Sequence, residues 1–291
     1  MQLKRMTMME NDSSKDLIFE ELSISDEVNK VGNGIIKQVI QLISKQDYYD
    51  YFTHNVIRRK CEINLSEALW GMVSRIQVEV YFFQNREDIS KYANDFDLGG
   101  TFYKDDMTIN LKCYGLENEI NEEYLRAVLY HELKHVFQIS LFDSKELPSI
   151  LVKATNLIND PTFSNTSVFS YMNQLLYIFS KMEIDANMEA LYQELRTVSP
   201  SNVKTFFSQT LSNYSYALGL YEDCLNHEND EMLNRHLYNV YKRNYSQLMN
   251  IIKVGIDYYN TKKRKVFMKY CKEQREIVKE STNFKRFIFV R

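Results

Sequence analysis

Apolar residues recur in this chain with two different periods, and the change of period divides it into elements. Downstream of Ser25, the positions Val28, Val31, Ile35, Val39 and Leu42, with Ile36, Ile40 and Ile43 beside them, fall at helical steps and predict an amphipathic helix. The run Ile76 to Phe83, IQVEVYFF, alternates Ile76, Val78 and Val80 with Gln77 and Glu79, and its β-branched and aromatic residues predict a strand. A hairpin is predicted next: Gly99, Gly100, Thr101, Phe102 and Tyr103, the turn-prone Lys104-Asp105-Asp106, then Met107, Ile109 and Leu111 alternating with Thr108 and Asn110.

Beyond the hairpin the period is helical. Asn121 is a good N-cap, and Glu122 and Glu123 place negative charge in the first turn of a helix running to about Leu141. A second helical pattern covers Val168 to Leu195. Ser199-Pro200 signals the start of a third near Asn202, running to Cys224, and a fourth runs from about Asp230 to Ile277, long enough that a break within it is expected. The last apolar stretch, Phe284 to Val290, reads FKRFIFV, as a short strand or an aromatic tail. Residues 1–24 are polar and Met-rich without a period, as expected of a flexible or partner-dependent arm.

Composition sharpens this picture. Only 8 Gly and 3 Pro stand against 21 Tyr and 17 Phe, which disfavours a many-turned β fold and favours mostly helix. With 291 residues, 44% of them hydrophobic, the chain can bury one sizeable core or two modest ones. We expect an α+β catalytic domain over 25–198, with a small mixed sheet, and a helical accessory domain over 199–291. A formal charge of −3 makes nucleic acid a poor candidate partner. One local basic face, Lys262, Lys263, Arg264, Lys265, Lys269, Lys272 and Arg275, reads first as a solvated helix surface. Cys61, Cys113, Cys224 and Cys271 have no CxxC spacing and suggest neither disulfides nor a thiolate metal site. Neither a signal peptide nor a membrane-length apolar run is apparent, so a cytoplasmic protein, or one inside a macromolecular assembly, is expected.

The chemistry concentrates in LRAVLYHELKHVFQ, where His131, Glu132 and His135 form H-E-x-x-H on a segment predicted to be helical on independent grounds. Residues four apart on a helix differ by about 40° of rotation, so both imidazoles leave one face and can share a cation. Glu132 is turned by about 100° from His131, positioned to address metal-bound water without being a ligand. Two imidazoles favour Zn2+ over the hard cations. A catalytic zinc site needs a third protein ligand. Glu183, in the 168–195 helix, is the candidate; Asp185 or Glu189 could serve instead.

HELKH followed by a helix carrying Glu183-Ile184-Asp185-Ala186-Asn187, an E-x-x-A-N pattern, resembles the gluzincin branch of the zincin metallopeptidases. The resemblance covers residues 76 to 195. It implies His131, His135 and Glu183 as metal ligands, Glu132 as general base, a peptide or protein substrate, and a small sheet whose edge strand, Thr101 to Tyr103 or Met107 to Leu111, lines the cleft. It departs at Asn187, which stands where that branch has an Asp accepting a hydrogen bond from a ligand histidine. Asn can accept the same bond without the charge, which makes the histidine a weaker donor to the metal. His227 and His236 are candidate donors to an oxyanion. The metzincin pattern fails, because Gln138 and Leu141 occupy its Gly and His positions. A second expectation is a zincin-fold structural or assembly component, for example of a phage particle, with weak or lost catalysis; the aromatic-rich helical region could then hold a protein partner.

Overall fold

The computed structural model of the chain describes residues 32–38, 56–64, 75–83, 100–103, 107–114, 122–141, 149–158, 167–198, 202–203 and 212–288. The expected arm over 1–24, the Asn121 cap, the Lys104-Asp105-Asp106 turn and Ser199-Pro200 lie outside these residues.

The architecture is α+β. Strands β1 (Val56–Asn64), β2 (Arg75–Phe83), β3 (Gly100–Tyr103) and β4 (Thr108–Tyr114) form one mixed sheet in the order β1-β2-β4-β3. β1 runs antiparallel to β2, β2 parallel to β4, and β3 antiparallel to β4, with Tyr103 opposite Thr108. The predicted hairpin is β3–β4. Met107 closes its loop with φ 52°, the left-handed residue that such loops use, and its carbonyl accepts from the Gln77 N–H at 3.0 Å, tying the loop to β2. Of the two candidate edges, β3 is the edge strand and β4 is interior. β1 has no counterpart among the predicted elements.

The period-two residues Ile76, Val78, Val80, Ile109 and Leu111 are all fully buried. We label the helical segment 32–38 α1, and the helices that follow α2 (Glu122–Leu141), α3 (Ser149–Ile158), α4 (Val168–Ile178), α5 (Lys181–Thr197), α6 (Ser212–Cys224), α7 (Glu231–Tyr241) and α8 (Tyr245–Ile288). α2 packs against β3 and β4 and against α5. Leu129, Tyr130, Leu133 and Val136 are completely buried there. α1 docks on α2: Asn33 Oδ1 accepts from Tyr130 Oη at 3.1 Å and from Arg126 at 2.6 Å. The adjacent Gly32 has no space for a side chain, since a Cβ there would come within 2.4 Å of the Tyr130 ring.

Two expectations about the helices are corrected and one is met. The 168–195 pattern is two helices, not one: α4 ends at Phe179, and Ser180 caps α5 by accepting from the Glu183 N–H at 3.3 Å. The break expected within the 230–277 pattern falls after Tyr241, where Lys242 adopts φ 55° and donates its N–H to the Tyr238 carbonyl at 2.9 Å. Phe284 to Ile288, expected as a strand or tail, is the end of α8. A single buried cluster then runs from Ala154 of α3 to Tyr270 of α8, crossing the division expected at 198/199, so α6–α8 share a core with α3–α5. Close approach requires glycine once more here: a Cβ on Gly255 of α8 would lie 2.3 Å from the Phe179 carbonyl oxygen.

Candidate metal centre

The H-E-x-x-H spacing does on α2 what helical geometry requires. His131 and His135 bring their Nε2 atoms to 3.1 Å, the rings edge to face at 4.8 Å between centroids. The third group arrives from α5. Glu183 Oε1 lies 3.2 Å from His131 Nε2, and Oε2 lies 3.3 Å from His135 Nε2. Among the described residues, His131, His135 and Glu183 form the group of possible ligands whose donor atoms all lie within 4.8 Å of one another.

Local sequence explains how Glu183 reaches them. Ser180-Lys181-Met182-Glu183 has the form of a capping box, in which the acid would turn back to the cap N–H. Only half of it is made. Ser180 accepts from Glu183, but the Ser180 N–H goes to the Tyr177 carbonyl at 3.0 Å, leaving the Glu183 carboxylate to face the two imidazoles. Its place in the first turn of α5 also puts the charge at the positive end of the helix dipole.

Burial of the cluster is costly to its charges, and pairing outweighs that cost. For His131, desolvation pulls the pKa down, yet the charge and hydrogen bond of Glu183, the charge of Glu132 and a hydrogen bond to Asn187 raise it from 6.5 to about 9. Desolvation likewise works against the Glu183 carboxylate, but His131 and His135 hold its pKa well below the usual range. Without a cation, the cluster is therefore a buried ion pair. The His131 contribution is complete below its unfolded value of about 6.5 and is lost as pH rises through about 9, whereas the Glu183 contribution is present above its unfolded value of about 4.5 and is lost as pH falls through its lower folded value.

The same donor set is also compatible with a bound metal ion. Donors about 2.05 Å from a tetrahedral ion are separated by about 3.3 Å, and the contacts here, Nε2 to Nε2 at 3.1 Å and each Nε2 to a different Glu183 oxygen at 3.2 and 3.3 Å, are of that size. Two imidazoles and one carboxylate converging this closely are a possible metal-binding donor set. The possible metal-binding triad is thus present at the residues the sequence singled out.

The remaining candidates take varied places. Glu132 is buried, at 6% exposure, close enough to raise the His131 pKa. Asn187 donates from Nδ2 to Glu183 Oε1 at 3.3 Å, so it touches the ligand carboxylate as well as His131. The alternative acids are engaged elsewhere. Asp185 accepts from Tyr258 Oη at 2.8 Å and pairs with Lys262 at 3.3 Å on α8, and Glu189 accepts from Gln193 at 3.0 Å. His227 lies in the α6–α7 turn, its carbonyl accepting from Asp230, and His236 stacks edge to face on Phe169 at 4.3 Å; neither belongs to the ligand cluster. Part of the basic face turns inward, with Lys262 on Asp185 and Lys269 over the Tyr192 ring at 4.2 Å.

One member of the site was missed. Gln138, only 5% exposed, places Oε1 3.0 Å from His135 Nδ1 and donates from Nε2 to the Met182 carbonyl at 3.0 Å. Its position three residues after His135, on the same helical face, was the available signal.

No family model, curated protein or solved structure matches this chain. No helix among the described residues is long and apolar enough to cross a membrane. Function therefore has to be argued from the centre itself.

Proposed function

We propose that this chain is a zinc-dependent metallopeptidase of zincin type, with His131, His135 and Glu183 holding the ion and Glu132 acting as general base. The observation that carries the reading is the convergence of the Glu183 carboxylate and two Nε2 atoms, from two separate helices, with contacts of 3.1, 3.2 and 3.3 Å. A zinc ion held there would supply a Lewis acid and acidify a water at its open position toward pKa ~7. Glu132 takes a proton from the attacking water and returns it to the leaving amine, a role suited to a carboxylate next to the ligands and shielded from solvent. Gly100–Tyr103 is an edge strand against α2, and an extended peptide can pair with its outer side by adding a strand.

The test uses Glu132→Gln. Zinc content should stay at one equivalent while hydrolysis of a denatured protein substrate falls about 10²- to 10⁴-fold. A wild-type chain that retains no zinc after purification would end the proposal.

A second reading, a zincin-fold assembly component with weak or lost catalysis, is favoured by one observation. Asn187 brings an uncharged amide to the ligands, where a carboxylate would strengthen histidine as a donor to the metal. Peptide cleavage that disappears in Glu132→Gln would count against it.

A further inference from the structure

His135 has a ring nitrogen on each side of a choice. Nε2 faces His131 and Glu183, and Nδ1 faces Gln138. A neutral imidazole carries one proton, and only the ring protonated on Nδ1 offers a lone pair at Nε2 to a cation. Something must select that tautomer.

We infer that Gln138 is the positioning residue that fixes His135 in its Nδ1–H tautomer, and that it does so by reading the backbone polarity of the Glu183 helix. This rests on the proposal that the triad holds a metal. The Met182 carbonyl can only accept, so the Gln138 amide must turn its NH2 group there, at 3.0 Å. That leaves Oε1, which can only accept, 3.0 Å from His135 Nδ1. Nδ1 is thereby held as a donor, which opposes the pull of the Glu183 carboxylate on an Nε2 proton and favours Nε2 as the nitrogen offered to a cation.

The same amide spans two helices. Met182 immediately precedes Glu183, so Gln138 joins one ligand of α2 to the residue beside the ligand of α5. Its amide is shielded from competing water, which makes the choice of orientation firm, because reversing the group would bury an N–H against a donor and an oxygen against a carbonyl. Asn187 serves the other histidine and Glu183, so the two amides act on different ligands.

The experiment is two-bond 1H–15N NMR of histidine-labelled, metal-free chain at a pH where the His135 ring is neutral, together with zinc affinity by chelator competition. Wild-type His135 should give the Nδ1–H pattern. Gln138→Met, similar in shape but without the acceptor, should give a mixture or the Nε2–H form and bind zinc about 10- to 100-fold more weakly. Gln138→Glu keeps an acceptor toward Nδ1 and should restore the Nδ1–H form. An Nε2–H pattern in the wild type overturns the inference without any variant, as does an unchanged spectrum and affinity in Gln138→Met. If the wild type binds no zinc, the metal reading fails, while the tautomer of the metal-free ring still decides the role of Gln138.

Discussion

Glu183 and Asp185 stand two residues apart on α5 and belong to different worlds. Glu183 looks toward α2 and meets two imidazole nitrogens; Asp185 looks toward α8 and meets a phenol and an ammonium. Both are acids on one helix near its start, so residue type and local sequence do not separate them. Their partners do. Asp185 has a hydrogen-bond donor and a counter-charge that satisfy it, as a structural acid should. Glu183 instead shares its oxygens with two imidazoles which, on the proposed reading, would hold the same cation.

The largest expected effect breaks this pair apart. Glu183→Gln removes a ligand and its charge, and zinc retained after gel filtration should fall from one equivalent to a small fraction. Asp185→Asn should leave zinc content unchanged and lower unfolding stability by about 1–2 kcal/mol, from the weakened bonds to Tyr258 and Lys262. Atomic absorption on both variants, beside denaturant unfolding, separates the two roles. Equal loss of zinc in both would show that α5 responds as one unit and that the contrast drawn here is false.

How α5 is held against α8 is the next thing to break. Gly255 lets α8 pass directly over the Phe179 carbonyl at the α4–α5 junction. In Gly255→Ala, a gain of about 1 kcal/mol in helix propensity is opposed by overpacking against backbone and a buried ring, costing about 1–3 kcal/mol or more. The steric cost should win, because neither the carbonyl oxygen nor the Phe179 Cβ can swing aside, and thermal unfolding should shift downward. Gly219 on α6 has open space where its Cβ would lie, so Gly219→Ala should shift unfolding upward by as much as ~1 kcal/mol. Opposite signs for one chemical change, read in the same calorimeter, isolate the helix contact from the propensity.

These contacts also explain what could be read beforehand. H-E-x-x-H, the hairpin and β2 were legible because each is a local pattern: a spacing on one helix, or alternation on one strand. Glu183 was legible as an acid on a later helix, and the E-x-x-A-N resemblance favoured it over Asp185 and Glu189, which the need for a third ligand alone leaves open. The break between α4 and α5 was hidden because the apolar period runs on through Met172, Leu175, Leu176 and Phe179 into Ile184 without a glycine or proline. Ser180-x-x-Glu183 was the one sign of it. FKRFIFV misled by composition, its aromatic residues favouring strand while its first five residues, Phe284 to Ile288, lie in α8. Gln138 was legible in position but not in role, which depends on a carbonyl of another helix.

The smallest expected effect concerns that hidden break. Ser180 and Asp230 are both N-caps, accepting from the third residue on at 3.3 and 2.9 Å respectively. Replacing either with Ala removes an acceptor from a first-turn N–H and should cost about 1 kcal/mol of stability. The amide freed in Ser180→Ala is that of Glu183 itself, so fraying of the first turn of α5 moves a ligand oxygen away from His131 and His135. Zinc affinity should therefore fall severalfold in Ser180→Ala and stay level in Asp230→Ala at matched stability. Chelator competition on the two variants measures it. If the two lose affinity equally, the capped turn contributes only general stability and Glu183 is positioned by packing between α2 and α5 alone.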